Sequence, residues 1–416
     1  MKYLAVLIAL STSFFWQENI NKKDHNHKHP NKEEFKVQAI ESINGKYMVS
    51  PQIPKDGYVP KGTVLSVKAY PDSGFVTDAV FSSVKGGMWG FLTSEHFSDE
   101  MKVTVDKDMY IGASFVEKAL VQGIDETQNI VYAKPGRKEL KYDVFSPKNA
   151  KMLPAIIIVH GGGWASNNED IMRGLARELA KNGKYVVFSI DYRWIYGNDN
   201  ESSPTYMHNI IEDVFGAIAH IQQHASEYGA DGSRIAITGD SAGGHLAEAA
   251  AVFAPQIGNR GFGIQQGIYE FEPTYQPKDL SLSDIRRSIS TSIKAVAPSY
   301  APSDQTSIQS YIAHKDPNYP WNEVSPINHV PKAKDRLLPH FVTHGTKDFV
   351  VPYETVKSYV QVLRENGQPV EHLEVEGAYH AFFDWTPYAK TMETFRQFGL
   401  PYANKMEEFF NGIFYK

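Results

Sequence analysis

Two patterns of apolar and polar positions divide the chain into two folded parts. In the first part, short β-prone segments such as residues 63–69 and 102–105 alternate apolar with polar residues, and Gly, Pro and Asp separate them. This alternation is typical of antiparallel strands that have one buried face. We therefore predict an all-β, Ig-like sandwich module over residues 35–118.

In the second part, continuous apolar segments alternate with amphipathic stretches. Residues 155–159 are rich in Ile and Val, and residues 185–190, 234–238 and 340–343 repeat the pattern. Apolar strands of this kind are buried on both faces, as in parallel sheets covered by helices. The pattern predicts an α/β domain over residues 119–416, with a mostly parallel, doubly wound sheet. Functional residues are expected beyond the carboxyl ends of its strands.

The N-terminal segment belongs to neither part. Residues 1–13 combine a positive start, a short apolar run and small residues, which is the pattern of a secretory signal peptide. An uncleaved interfacial anchor is the alternative, whereas a spanning helix would need about 20 apolar residues. Residues 14–34 are polar, and their alternating histidines favour a solvated tether over a metal site. We expect an exported protein, either periplasmic or secreted, without a membrane span.

Composition narrows the chemistry. The 416 residues include no cysteine and carry a net charge of −6. Without cysteine there is no disulfide framework, thiolate metal site, cysteine nucleophile or cysteine lipid anchor. The mildly acidic chain has no basic stripe, so we expect no nucleic-acid partner. We also expect neither a cofactor nor a metal.

A serine flanked by glycines stands between a predicted strand and a predicted helix. Residues 239–245 read Gly-Asp-Ser-Ala-Gly-Gly-His, which contains the Gly-x-Ser-x-Gly pattern of a nucleophile elbow. The sharp turn strains the serine backbone and requires small residues two positions away on each side. The helix dipole then favours negative charge developing beside the serine. We predict Ser241 as the nucleophile.

A glycine-rich loop follows the first buried strand of the second part. Residues 160–164 read His-Gly-Gly-Gly-Trp and lack both the Lys-Ser/Thr ending of a P-loop and the spacing of a dinucleotide fingerprint. Adjacent glycines allow backbone N–H groups to approach an oxyanion closely. We predict Gly162, Gly163 and Ala242 as the donors, and we expect His160 to brace the loop.

A nucleophilic serine needs a base, and the base needs an acid that orients it. In an elbow architecture these follow the serine in the order acid, then histidine. Asp348 and His380 lie in the exit loops of two successive predicted strands, which brings them to one edge of the sheet. His344 and Glu376 are competitors, but each needs a less natural loop path. We predict Asp348 as the acid and His380 as the base.

Together these motifs resemble the α/β-hydrolase superfamily, in particular its esterase/lipase branch with a His-Gly-Gly-Gly-Trp loop. That branch includes feruloyl and acetyl-xylan esterases, hormone-sensitive-lipase-like enzymes and kynurenine formamidases. The resemblance covers residues 125–414 and implies a triad of Ser241, His380 and Asp348. The first part of the chain resembles the divergent internalin-type B-repeat modules of bacterial surface proteins, which implies a spacer or an Ig-like attachment. Whether this part binds sugar is left open by the sequence.

Two features depart from the esterase pattern. Trp194 stands where a leucine is usual, and residues 255–292 are long enough to form a cap or lid. Trp164, Tyr192 and Trp194 follow strand ends and are expected near the mouth of the substrate pocket. Their rings would suit a feruloyl group or a sugar, but aromatic residues also pack caps against cores.

The sequence therefore predicts a secreted serine carboxylic-ester hydrolase that forms an acyl-enzyme. Its expected substrates are acetyl or feruloyl groups of polysaccharides, or small acyl esters. A serine exopeptidase of the prolyl-oligopeptidase type and an amidase share the fold and are alternatives. A non-catalytic adhesion protein is a further alternative, because the first part could serve attachment. The oligomeric state and the acyl and alcohol preferences are left open by the sequence.

Overall fold

The computed structural model describes residues 33–86, 91–197, 199, 204–259, 270–312 and 316–416. The predicted signal peptide and nearly all of the predicted linker lie outside these residues. The chain divides into two compact units. The first unit contains the described residues up to Ala119 together with Thr386–Met392, and the second contains Leu120–Trp385 and Glu393–Lys416.

The first unit is built from two β-sheets around a shared core. The five-stranded sheet has the order β3-β1-β8-β5-β6, and the three-stranded sheet has the order β2-β4-β7. Val67 from the smaller sheet and Val80 and Ile111 from the larger sheet are buried in the same cluster. The alternation in the sequence arises because each strand turns one face to this core. The strands are β1 (Glu34–Ala39), β2 (Gly45–Ser50), β3 (Tyr58–Pro60), β4 (Val64–Pro71), β5 (Phe75–Lys85), β6 (Phe91–His96), β7 (Glu100–Thr104) and β8 (Met109–Glu117).

A late segment of the chain returns to the first unit. Thr386–Met392 belongs to this unit although it follows the rest by more than 260 residues. The Tyr388 hydroxyl donates a 2.6 Å hydrogen bond to Ser83 Oγ, and its ring lies edge-on to Phe81 with centroids 5.4 Å apart. The first unit is therefore assembled from two separate stretches of sequence.

The second unit contains one eight-stranded sheet with the order β16-β15-β14-β13-β11-β12-β10-β9. Strands β9 and β10 pair antiparallel with each other, and β10 is also antiparallel to β12. The other neighbours pair in parallel, as predicted for most of the sheet. The strands are β9 (Ile124–Ala133), β10 (Leu140–Pro147), β11 (Leu153–Val159), β12 (Val186–Ile190), β13 (Ala230–Asp240), β14 (Ile293–Ser299), β15 (His340–Gly345) and β16 (Val370–Val375).

Helices separate these strands along the chain. They are α1 (Lys118–Val121), α2 (Arg173–Ala180), α3 (Met207–His224), α4 (Ala242–Phe253), α5 (Leu282–Ser292), α6 (Gln305–Tyr311), α7 (Tyr353–Glu365), α8 (Ala389–Thr394) and α9 (Leu400–Phe414). Helices α3 and α4 bury many apolar residues in the main core beside β11 and β13. Across the described ranges, no helix has the length and apolar character that a membrane crossing requires.

The strand order fixes where a site can form. Strand β11 lies between β12 and β13, so the chain leaves it on one side and returns on the other. Open α/β sheets bind ligands at such a switch point, beyond the carboxyl ends of the strands. The loop after β11 and the turn after β13 are therefore adjacent at this edge.

The predicted cap insertion is only partly covered, because residues 260–269 lie outside the described residues. In the described part, Phe271 is fully buried. Its ring centroid lies 5.8 Å from that of Phe215 on α3 and 5.6 Å from that of Phe253 on α4. Helix α5 completes this stretch and leads directly into β14. These described portions are packed on the core helices of the second unit.

Candidate active site

Ser241 occupies a tight turn between β13 and α4, with φ 51° and ψ −120°. A positive φ is uncommon for a residue with a side chain and marks local strain. A Cβ atom on Gly239 would lie 2.4 Å from the carbonyl oxygen of Gly243, and one on Gly243 would lie 2.0 Å from that of Val159. The turn can therefore form only because both positions lack side chains.

Three side chains form a continuous hydrogen-bonded series at this turn. His380 Nε2 lies 2.8 Å from Ser241 Oγ, and His380 Nδ1 lies 2.7 Å from Asp348 Oδ2. The second carboxylate oxygen of Asp348 accepts the backbone N–H groups of Val350 at 2.8 Å and Val351 at 3.0 Å. The Asp348 side chain is fully buried, whereas 9% of the His380 side chain is exposed. This arrangement can move a proton from a serine hydroxyl to an oriented imidazole.

The two competing residues are not part of this series. His344 is buried in β15, and within the described residues neither of its ring nitrogens has a hydrogen-bond partner. Burial is the main cause that lowers the pKa of His344, so its ring is favoured in the neutral form. Glu376 is exposed.

The glycine-rich loop has the backbone conformation that its sequence requires. Gly162 and Gly163 have φ values of 118° and 60°, and a Cβ atom on Gly162 would lie 2.4 Å from the carbonyl oxygen of Ser166. Within the described part of the chain, the N–H groups of Gly162, Gly163 and Ala242 donate to no protein acceptor. For Ala242 this follows from its place in the first turn of α4. All three groups are free to bind an anion.

His160 is tied into the base of this loop. Its Nδ1 lies 2.6 Å from the carbonyl oxygen of Gly161, and its Nε2 lies 3.3 Å from Asp191 Oδ1. The Tyr192 ring stacks on it with centroids 4.2 Å apart, and the Tyr192 hydroxyl donates to the His160 carbonyl oxygen at 2.9 Å. Lys138 Nζ contacts the same Asp191 oxygen at 2.9 Å. These contacts hold His160 in the core, and its ring nitrogens face Gly161 and Asp191 rather than Ser241.

The three aromatic residues predicted near the pocket mouth have different environments. Trp164 and Tyr192 are fully buried, and the Trp164 ring N–H donates to His245 Nδ1 at 3.2 Å. Neither ring offers a surface to a ligand in this conformation. Trp194 is 37% exposed, with Lys138 Nζ 4.7 Å from its ring centroid. Of the three, Trp194 alone presents an open aromatic surface.

The structure adds groups that the sequence analysis did not select. Tyr300 follows β14, and its ring packs edge-on against His380 with centroids 4.7 Å apart. Its hydroxyl lies 3.3 Å from Asp240 Oδ2, and Asp240 Oδ1 accepts the Gly161 N–H at 2.7 Å. Asp240 is the variable residue before the serine in the Gly-x-Ser-x-Gly pattern, so its position in the motif could have identified it as a site residue. For Tyr300, the sequence offers no motif, and its place directly after a strand is the one feature that could have pointed to it.

The arrangement of His, Asp and Glu side chains bears on whether the site could hold a metal ion. Among the residues that the structure describes, no group of three or more His, Asp or Glu side chains is arranged to hold a metal ion.

A mostly parallel sheet with a serine at a strand–helix elbow, followed by an acid and a histidine on later strand exits, defines an α/β-hydrolase fold. Residues 142–363 match the BD-FAE family model, which is more than half of the chain. The chain belongs to the BD-FAE family.

Curated relatives and solved structures agree with this class. The probable carboxylic ester hydrolase LipM of Mycobacterium tuberculosis is 30% identical over 249 residues, covering 55% of this chain and 49% of the relative. Esterase LipQ of the same organism is 29% identical over 281 residues, covering 62% and 57%. The chain thus spans about half the length of these relatives. Thermogutta terrifontis esterase 2 has a TM-score of 0.51 and 22% identity, covering 71% of this chain and 97% of that one, which shows a shared fold.

Proposed function

We propose that the protein is a serine carboxylic-ester hydrolase. The hydrogen-bonded series of Ser241, His380 and Asp348 at the elbow carries this proposal. Free N–H groups beside the serine and the esterase names of the relatives support it. An exopeptidase or an amidase would use the same three residues, so the leaving group is the property to test.

The reaction has two acyl-transfer steps. His380 Nε2 accepts the hydroxyl proton as Ser241 Oγ attacks the ester carbonyl carbon, and Asp348 stabilises the imidazolium that forms. The N–H groups of Gly162, Gly163 and Ala242 stabilise the oxyanion. The C–O bond then breaks, and the alcohol leaves with the proton from His380. Water attacks the acyl-serine, gives a proton to His380, and the acid departs as Ser241 regains that proton.

The test of this function compares ester and amide hydrolysis in three proteins. Ser241→Ala should lower hydrolysis of p-nitrophenyl acetate at least about a thousandfold, because no other group replaces the nucleophile. Ser233→Ala, at an exposed serine at the start of β13, is the control and should keep full activity. Retention of more than trace activity by Ser241→Ala would overturn the proposal. Faster cleavage of a matched p-nitroanilide or formamide would favour the peptidase or amidase alternative.

We further propose that the esters are acyl groups on carbohydrate, with the sugar as the leaving alcohol. Phe349 and Tyr379 directly adjoin Asp348 and His380 in sequence, and each is 49% exposed. Their ring centroids are 6.2 Å apart, and Lys347 Nζ lies 5.8 Å from the Tyr379 ring centroid. Because His380 protonates the leaving alcohol, residues beside it flank the alcohol side of the substrate. An open aromatic pair suits a hydrated sugar ring, whereas an apolar alcohol would need an enclosed pocket.

The variant Tyr379→Ala tests this substrate class. We expect KM for acetylated or feruloylated arabinoxylan oligosaccharides to rise about fivefold, because one aromatic contact contributes about 1 kcal/mol. Activity on p-nitrophenyl acetate, which has no sugar, should change little.

The control is Tyr58→Ala in the first unit, since Tyr58 is 44% exposed and has Lys36 Nζ 5.9 Å from its ring centroid. An equal effect of both variants on the oligosaccharides would contradict the assignment of Tyr379. So would an equal loss on both substrates.

A further inference from the structure

Tyr300, the residue directly after β14, has a backbone conformation that is uncommon for a bulky side chain. Its φ is 40°, and the residue is fully buried. A positive φ costs free energy for an aromatic residue, and such strain persists only where the surroundings hold the backbone in place. Strained residues cluster at functional sites, so the contacts of Tyr300 indicate what the strain serves.

Backbone hydrogen bonds hold this stretch between the elbow and β15. The Ser241 N–H donates to the carbonyl oxygen of Ser299 at 2.9 Å, and the Tyr300 N–H donates to that of Thr343 at 2.7 Å. Thr343 lies in β15, the strand that leads to Asp348. The backbone of Tyr300 is therefore fixed beside the nucleophile and beside the strand that carries the acid.

The side chain of Tyr300 extends from this position to the loop that carries His380. Its ring lies edge-on to His380, with centroids 4.7 Å apart, and edge-on to Phe382, with centroids 4.8 Å apart. Its hydroxyl accepts the Phe383 N–H at 3.3 Å and lies 3.3 Å from Asp240 Oδ2. Both distances are long for hydrogen bonds of these types. We therefore expect the ring to contribute more than the hydroxyl.

The proposed reaction requires His380 to stay in place while its partners change. Its Nε2 first accepts the proton of Ser241 and later gives a proton to the leaving alcohol. The hydrogen bond to Asp348 holds one side of the imidazole, but the ring can still pivot about that bond. The Tyr300 ring packs against the imidazole and restricts this pivoting.

We infer that Tyr300 is a positioning residue, whose ring packs against His380 and keeps Nε2 directed at Ser241 during ester hydrolysis. This inference rests on the proposed function. It assigns the effect to the ring, so phenylalanine should replace Tyr300, whereas an aliphatic side chain should not.

The kinetic test compares Tyr300→Phe with Tyr300→Leu. We expect kcat for p-nitrophenyl acetate to stay within about threefold of the parent protein in Tyr300→Phe, because the lost hydroxyl contacts are weak. Tyr300→Leu should lose about 10- to 100-fold in kcat with little change in KM, because a displaced base weakens the transition state and not substrate binding. Full kcat in Tyr300→Leu would overturn the inference. A loss of more than about tenfold in Tyr300→Phe would also overturn it, since the hydroxyl would then carry the effect.

Tyr185→Leu is the matched control, because Tyr185 is also fully buried and its hydroxyl donates to Asn411 Oδ1 at 3.0 Å. Tyr185 directly precedes β12 and so lies at the amino end of that strand, whereas the site lies beyond the carboxyl ends. The control should lose stability in urea unfolding, as Tyr300→Leu does, and keep its kcat. An equal loss of kcat in both leucine variants would reduce the effect to general destabilisation and would contradict the inference.

A second measurement does not depend on ester hydrolysis. The His380 Nδ1–H that is hydrogen-bonded to Asp348 should give a proton NMR resonance downfield of the amide protons, identified by its loss in His380→Gln. We expect this resonance to be sharp in the parent protein, Tyr300→Phe and Tyr185→Leu. It should broaden or disappear in Tyr300→Leu, because a loosened imidazole exchanges its proton with water faster.

An unchanged resonance in Tyr300→Leu would refute the role of the ring. If the parent protein hydrolysed no ester, the proposed function would fail, while the resonance would still decide whether Tyr300 holds His380 in place.

Discussion

Glu248 lies on α4, the helix that begins after Ser241, and is buried in the folded protein. Burial raises the pKa of Glu248 well above its usual range, and the Ser303 side chain partly opposes this shift. Within the described residues, its Oε2 atom has no hydrogen-bond partner. The folded protein therefore keeps Glu248 protonated at pH values where the unfolded chain has released the proton.

This difference makes the stability depend on pH. Above the ordinary glutamate pKa of about 4.3, the unfolded chain binds fewer protons than the folded chain, so the free energy of unfolding falls by up to about 1.4 kcal/mol per pH unit. Glu248→Gln removes this titration. We expect the variant to gain stability relative to the parent protein as the pH rises from 5 to 9, as measured by urea unfolding. Glu408→Gln, at an exposed glutamate on α9, should give a pH-independent difference. A pH-independent difference for Glu248→Gln would contradict this reasoning.

Some residue-level features of the site could be predicted because motif and element coincide. Ser241 and Asp348 follow the strands β13 and β15, and His380 follows the edge strand β16. The geometry of a parallel sheet brings such positions together. The burial of Trp164 and Tyr192 could not be predicted, because a loop aromatic residue can turn toward solvent or toward the core. The contact between Tyr300 and Asp240 has no sequence signal, since the two residues are 60 positions apart.

The glycine-rich loop is the element on which the proposed oxyanion stabilisation depends. Gly162→Ala would place a Cβ atom 2.4 Å from the Ser166 carbonyl oxygen at a φ of 118°, so the loop would have to move. Losing one donor from an oxyanion hole lowers kcat about 100- to 1000-fold in another serine hydrolase. We expect a loss of that size for Gly162→Ala, measured with p-nitrophenyl acetate.

Gly183→Ala is the matched control, because Gly183 also has a positive φ, 76°, but a Cβ atom there would meet no other atom within 4 Å. This variant should lose some stability and retain its kcat. Comparable kcat values for Gly162→Ala and Gly183→Ala would show that the loop conformation does not contribute to the reaction.

Strand positions were predictable where hydrophobicity is continuous. The apolar run at residues 155–159 lies within β11, and the run at residues 340–343 lies within β15. Strand β13 extends further than the run at 234–238 predicted, because Ala230 and Asp231 pair with the start of β11. Residues 231–233, Asp-Gly-Ser, are not apolar, so the hydrophobic pattern could not predict this extension.

At the scale of the whole molecule, the chain first passes from one unit to the other between Ala119 and Leu120. The hydrophobic pattern of the sequence changes near the same residue, from short alternating segments to continuous apolar ones. The assignment of Thr386–Met392 to the first unit was not predicted. Its hydrogen bond from Tyr388 to Ser83 joins residues 305 positions apart, and a short polar and aromatic stretch after His380 looks like any surface loop. Long-range pairing of this kind depends on tertiary structure, which a single sequence does not reveal.

The return of the chain at Thr386–Met392 limits how this architecture can be recombined. Peptide bonds connect the units at three places, after residues 119, 385 and 392. A fusion protein made with one junction after residue 119 would therefore contain an incomplete first unit. To exchange the first unit between homologues, both the residues up to Ala119 and Thr386–Met392 would have to be replaced.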